Sequence, residues 1–262
     1  MMRSITINKP GKRSLGVKCL AVLVIIGVWQ WISLSLPDIL FASPLDTLRS
    51  LVQMARSGEL ARQLLTSGGR MLAGFFCGTA AGIAAGLLAG IFSIVYEAVR
   101  PVLSLLMGIP PIILVVLAMV WFGTGATVPV FVVSLLVFPS IYLNTADGWR
   151  GIDRQLLQMA EVYQIGPMKK LRHIVIPGLA VPIFTAVSLA AGSAVRTTIM
   201  AELLGSDNGI GYSLAFARVN LDTAKVFAWT FVSIVAILAM DLFVIKPLRK
   251  FALRWNHEEI QI

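Results

Sequence analysis

Between Arg100 and Asp147 the chain runs for 46 residues without a Lys, Arg, Asp, Glu or His. Such a stretch is poorly suited to water. About 20 apolar residues make a helix that crosses the hydrocarbon core, and there every backbone N–H and C=O must be bonded internally. The run is too long for one crossing. Phe122-Gly123-Thr124-Gly125-Ala126 offers a turn near its middle, so it divides into spans near 103–121 and 127–145. Four more charge-free stretches follow the same rule: 19–37, 71–96, 174–195, and 226–240, the last extended to 245 across Asp241. The expected fold is all-α and integral to the membrane, with helices at about 16–36, 70–92, 103–121, 127–145, 178–200 and 226–246. Residues 1–15 read as a basic cytoplasmic tail and 16–262 as one transmembrane domain.

Only 13% of the 262 residues are charged, about half the share of a soluble domain, which argues against a soluble enzyme. The net charge of +9 would suggest nucleic acid in a soluble chain. Here the cations lie between apolar runs and read as topology. One side of a six-span arrangement carries Arg3, Lys9, Lys12, Arg13 and Lys18, then Arg100, then Arg150, Arg154, Lys169, Lys170 and Arg172, and finally Lys246, Arg249, Lys250 and Arg254. The other side carries Arg49, Arg56, Arg62, Arg218 and Lys225. A bias of about threefold places both termini in the cytoplasm. Arg70 and Arg196 fall at boundaries or within the membrane. Cys19 and Cys77, and His173 and His257, have no metal-ligand spacing. There is no Walker phosphate loop, HExxH or GxSxG. The glycines from Gly205 to Gly211 imitate a phosphate cradle but lack the following lysine.

Several local patterns carry structure. Ser43 can cap a helix that has Pro44 in its first turn. That helix places Leu48, Leu51, Val52 and Met54 on one side, as an outward amphipathic helix at the interface would. Gly74, Gly78, Gly82, Gly86 and Gly90 repeat at steps of four along one helix face, which admits another backbone closely. Tight packing is the plainer reading, a moving surface the alternative. Pro110-Pro111 interrupts the third span and either kinks it or opens a pathway. The 147–177 loop is structured: Asp153 can cap a helix over 154–164, Leu156, Ala160 and Tyr163 share one face of it, and Ile165-Gly166-Pro167 ends it. Met168 to His173 form a second short helix, separated from the fifth span by Pro177. The loop offers apolar groups (Leu156, Met159, Tyr163, Ile165, Met168) beside cations, which suits either a groove on a cytoplasmic partner or anionic lipid.

That loop resembles the "EAA" loop of inner-membrane permease subunits of binding-protein-dependent ABC importers. Gly166 matches the family glycine and Ile174-Val175-Ile176-Pro177 the terminal apolar-proline element. Ala160 then stands where Glu is usual, with Glu161 one place later. Phe41-Ala42-Ser43-Pro44, Ile109-Pro110-Pro111 through Trp121-Phe122-Gly123, and Phe138-Pro139 to Asn144-Thr145 are similar to further family segments. Arg196 through Ala201-Glu202-Leu203-Leu204, then Gly209-Ile210-Gly211-Tyr212, resembles a signature of the nitrate/sulfonate/taurine/bicarbonate-type branch. The resemblance covers roughly residues 40–255.

It implies a type I importer permease, a pore subunit without catalysis or cofactor of its own, in a bacterial or archaeal inner membrane. Two copies would form the pore. ATP and Mg would be bound by a cytoplasmic ATPase dimer, and an extracytoplasmic binding protein would deliver the cargo. Ala160, Glu161, Tyr163, Gly166, Pro167, Met168 and Pro177 would couple to the ATPase. Pro110, Pro111, Arg196 and Glu202 are pore or gate candidates. The branch suggests a small anion such as a sulfonate, taurine or nitrate, with a thiamine-precursor pyrimidine or riboflavin as the alternative. Arg196 could attract such an anion, pair with Glu202 or another span, or snorkel. Glu202 reads as a docking or gate residue, and Asp241 as the partner of a cation such as Arg249. A stand-alone six-span carrier would need a mid-membrane ion site. A membrane enzyme would need clustered catalytic side chains. The chain shows neither pattern.

Overall fold

The structure is a computed structural model that describes residues 12–37 and 39–247. The tail over 1–11, the side chain of Cys19, the cations Arg249, Lys250 and Arg254, and His257 lie outside the described residues. Among the described residues all regular structure is helical. Four helices are long and apolar enough to cross a membrane, or five if a bent helix pair is counted as one span. Helix α1 (Lys12–Ser35) contributes the shorter apolar segment Leu20–Ser35. Its far end is pinned by Trp29, whose indole N–H donates to the Ala42 carbonyl at 3.0 Å while its ring stacks on Phe227.

Helix α2 (Pro44–Arg56) begins as the chain chemistry dictates: Ser43 Oγ accepts from the Asp46 N–H at 3.1 Å and Pro44 takes the first helical position. Its apolar residues do not share one side. Leu51 and Met54 turn inward against Ile210, Trp229 and Val232, whereas Leu48 and Val52 are exposed.

Helix α3 (Glu59–Ile91) starts well before residue 70. Gly58, at φ +73°, makes the turn from α2. The polar residues of the first turns then stay helical because neighbouring elements bond them. The five glycines of α3 lie against helix α6 (Thr127–Arg150). A Cβ on Gly74 would stand 2.7 Å from the Val130 carbonyl oxygen, and one on Gly78 2.5 Å from that of Ser134. On Gly82, Gly86 and Gly90 it would meet Ile141, Thr145 and Trp149 at 2.6–2.8 Å. The backbone of α3 therefore lies against that of α6 from Gly74 to Gly86 and against the Trp149 side chain at Gly90, a packing that only the absence of side chains permits.

The third span is not one kinked helix over 103–121. It is two helices, α4 (Ser93–Gly108) and α5 (Pro111–Phe122), bent by 101°. Ile109 precedes a proline and is held extended, Pro110 is extended too, and Pro111 restarts the helix at its first position. Consecutive prolines remove two N–H donors, so the break is complete. After α6 come α7 (Arg154–Val162), α8 (Pro167–Lys170) and α9 (Ile176–Gly205). Pro177 does not separate a knuckle helix from the span. A π-turn over Leu171–Val175 joins α8 to α9, with the Ile176 N–H reaching back to the Leu171 carbonyl, so residues 167–205 run continuously. The wider turn absorbs the donor that proline lacks. Helices α10 (Ile210–Val219) and α11 (Thr223–Met240) complete the bundle, and a second π-turn covers Asp241–Ile245. Asp241 lies 3.9 Å from Lys246. The core sits between α3, α6 and α9, where Phe75, Val133, Val137, Ile141, Ala186 and Ala190 pack together.

Candidate functional site

Two regions at opposite ends of the bundle gather the chemistry. The first is the knuckle. Asp153 caps α7 by accepting from the Gln155 N–H at 2.7 Å. Ala160 is buried at 2%, whereas Leu156, Met159, Val162, Tyr163 and Met168 are exposed. The face expected to carry Leu156, Ala160 and Tyr163 thus holds the knuckle together through Ala160 and presents the other two outward. The turn closes when Gln164 enters the left-handed region at φ +49° and the Ile165 N–H reaches the Ala160 carbonyl at 2.9 Å. Lys170 and Glu161 tie α8 to α7 at 3.6 Å. Gly166 lies at φ −60° with nothing within 4 Å of an added Cβ. No contact within this chain requires a glycine there.

The second region is a buried polar knot. Glu202, 0% exposed, accepts from the Ser67 hydroxyl at 2.6 Å, from Arg70 at 3.0 Å and from the Gly211 N–H at 3.2 Å. Gln63 accepts from the Gly209 N–H at 2.7 Å, and Ser67 from the Ile210 N–H at 2.8 Å. Arg70 also donates to the Asn208 carbonyl at 2.7 Å and to its side chain, and lies 3.6 Å from Asp207. The glycine-rich turn does present consecutive N–H groups, but the protein's own side chains fill them. Gly209 sits at φ +101°, and a Cβ there would overlap the Glu202 carboxylate. Gly209→Ala is therefore expected to lower thermal stability by about 1–3 kcal/mol, read as a drop in the unfolding midpoint of the detergent-solubilised chain.

Glu202 pairs with Arg70, not with Arg196, which corrects the expectation that Arg196 and Glu202 could pair. Gln63 and Ser67 were not singled out in the sequence, and Arg70 was placed only at a boundary or within the membrane. Their signal is a polar stripe at i, i+4 and i+7 in the first turns of α3, where Glu59, Arg62 and Thr66 are polar as well. Arg196 is exposed and has no acidic partner within 4.0 Å among the described residues. It lies on an α9 face shared by the exposed Thr185, Leu189 and Ser193. Pro110 and Pro111 are both exposed at the α4–α5 break. The described residues hold no group of three or more His, Cys, Asp or Glu placed to hold a metal. Cys77 is free and exposed.

An all-helical bundle with several helices of membrane-crossing length, a glycine-welded helix pair and an exposed two-helix knuckle defines a multi-pass membrane protein. Residues 78–245 match the family of binding-protein-dependent transport system inner membrane components, and the chain belongs to that family. The chain is 33% identical over 244 residues to the protein of Escherichia coli (strain K12) named aliphatic sulfonates transport permease SsuC, covering 88% of this chain and 89% of that one. The protein of the same name in Bacillus subtilis (strain 168) is 30% identical over 254 residues, covering 95% and 92%. The fold matches a chain of the inward-facing MetNI methionine ABC transporter with a TM-score of 0.61 at 16% identity, over 73% of this chain and 95% of that one. The chain is thus a permease subunit of an ABC importer, with the type I fold, in the inner membrane.

Proposed function

We propose that two copies of this chain form the path for a small organic anion of the alkyl sulfonate kind, driven by a cytoplasmic ATPase dimer. In this reading the chain has six spans, counting α1, with both termini and the knuckle in the cytoplasm, which the bias of Lys and Arg supports. The observation that carries the coupling role is the knuckle surface. Leu156, Met159, Val162, Tyr163, Ile165 and Met168 stand in the open on either side of a glycine with empty space beside it. An exposed apolar cluster on a rigid support is how a chain fits a partner's groove. An unhindered glycine admits that partner's backbone. Closure of the ATPase pair then moves the two knuckles together. Continuity of α8 with α9 through residues 167–205 carries that motion into the membrane as a rigid-body displacement between two states.

The anionic cargo is supported by the names of the two relatives and by one face of α9. Arg196 is exposed there beside Thr185, Leu189 and Ser193, and a cation with no acidic partner among the described residues suits a water-filled path better than lipid. Arg196 stands about 30 Å along α9 at 1.5 Å per residue, in the outer half of the path. Arg196→Gln should reduce sulfonate-dependent uptake roughly tenfold, about 1.4 kcal/mol, without loss of the complex. Unchanged uptake would remove Arg196 from the path.

The coupling role is tested by Gly166→Asp and Glu161→Lys. Neither side chain is packed within this chain, and an exposed ion pair such as Glu161–Lys170 contributes at most about 1 kcal/mol. Both variants should insert and fold with unchanged midpoints, yet co-purify with the ATPase at least roughly tenfold less and lose uptake in proportion. Normal recovery of the complex and normal uptake in both would overturn the assignment.

A further inference from the structure

Where the knuckle joins the bundle, α4 and α6 carry a mixed-charge cluster that transport leaves unused. The Arg150 guanidinium lies over the Tyr96 ring, 3.8 Å from its centroid, and Arg100 stands 5.8 Å from the same centroid. The Tyr96 hydroxyl donates to Asp147 Oδ1 at 3.0 Å, which holds the ring between the two helices. Glu97 follows on α4. All four charged residues are exposed. Among the described residues none of them forms an ion pair within 4.0 Å. Each guanidinium carries five N–H donors, and contact with a ring face leaves them available. The second Asp147 oxygen and the Glu97 carboxylate are open acceptors.

The surface beside the cluster is apolar. Phe92, Ile94, Val102 and Leu105 are exposed, while Val95, Val99 and Leu103 pack inward against Tyr142 and Ala146. Tyr96 itself is half-buried between the two, the position an interfacial aromatic takes.

We propose that this cluster binds the headgroup of phosphatidylethanolamine, a phospholipid carrying one phosphate and one primary ammonium. Two arginines supply donors for the phosphate. Two carboxylates supply acceptors for the ammonium, and the exposed apolar residues of α4 lie against the acyl chains. The balance of charges selects this lipid. A plain anionic headgroup would meet two acids as well as two cations, and a quaternary choline has no N–H to give them. The apolar surround favours a lipid over a soluble ligand of the same chemistry. The sidedness proposed above decides only which leaflet supplies the lipid.

The test is lipid retention by the full chain, read by native mass spectrometry after exchange into detergent with phosphatidylethanolamine, phosphatidylglycerol or phosphatidylcholine. Phosphatidylethanolamine should be retained over both others. Arg100→Gln/Arg150→Gln should lose roughly 25-fold of that retention, since each basic residue at a lipid surface is worth about a fivefold gain. Asp147→Asn should erase the preference over phosphatidylcholine. The control Arg49→Gln/Arg56→Gln, on α2, should change nothing. A preference for phosphatidylglycerol, equal retention in the double variant, or full displacement by soluble phosphoethanolamine would each overturn the proposal. Thermal midpoints of all variants separate loss of the site from loss of the fold. Retention does not depend on uptake, so this inference and the coupling reading fail independently.

Discussion

Arg70→Met is expected to be among the most damaging single substitutions in this chain, lowering stability by about 3–5 kcal/mol. The reason is the partner it abandons. Glu202 is fully buried, and Arg70 is the one cation within 4.0 Å of it among the described residues. Removing the guanidinium leaves a buried carboxylate held only by Ser67 and the Gly211 N–H. It also removes the donor to the Asn208 side chain and leaves the Asn208 carbonyl with only the Ser206 hydroxyl, so the turn from Ser206 to Gly211 loses one of its ties to α3. The measurement is the thermal midpoint of the detergent-solubilised chain, together with proteolysis at Asp207–Asn208. Glu202→Gln keeps an acceptor for Ser67 and removes the charge, and should cost only about 1–3 kcal/mol. The double variant Arg70→Met/Glu202→Leu should recover part of the loss, because no lone charge is left. Its recovery is incomplete, because the Gly211 N–H still lacks an acceptor. A single Arg70→Met variant as stable as the parent would show that the knot does not hold the fold.

Gly78→Leu should separate α3 from α6. A Cβ at Gly78 would already stand 2.5 Å from the Ser134 carbonyl oxygen and 3.0 Å from its Cα, and backbone atoms of a packed helix cannot swing aside. Ordinary overpacking costs about 1–3 kcal/mol. A clash with backbone exceeds that, so the expected result is loss of folded chain from the membrane fraction. Gly78→Ala should fall within the 1–3 kcal/mol range. The control lies on the same helix: Gly68 has nothing within 4 Å of an added Cβ, and Gly68→Ala should be neutral or stabilise by about 0.5–1 kcal/mol through helix propensity. If the two glycines respond alike, close contact is not what the ladder does.

How much was legible varies with the range of the interaction. Ser43 and Pro44 at the start of α2, and Asp153 at the start of α7, could be read directly, because a cap acts within three residues. The glycine ladder could be read as a close-contact face, but its partner α6 could not, since spacing along one helix says nothing of what lies opposite. The double proline located the break in the third span. Its 101° angle could not be read there, since two prolines fix where the helix breaks and not the direction in which it resumes. Pro177 misled for a related reason: a proline predicts a missing donor, and whether a helix ends or widens into a π-turn depends on what holds the flanking turns.

The alternation of apolar runs with basic connections determined, from the sequence alone, that this chain is a helical membrane protein with a structured loop, and the permease reading rested on the family resemblance of that loop and of residues 196–212. Burial of backbone in hydrocarbon allows few other outcomes. The tertiary structure alone decided the partners of the buried charges. Residues 63, 67 and 70 on one helix meet residues 202 and 208–210 across more than a hundred positions of chain. A carboxylate in a low-dielectric interior takes whichever cation the packing brings to it. No local rule identifies Arg70 as that cation in preference to Arg196.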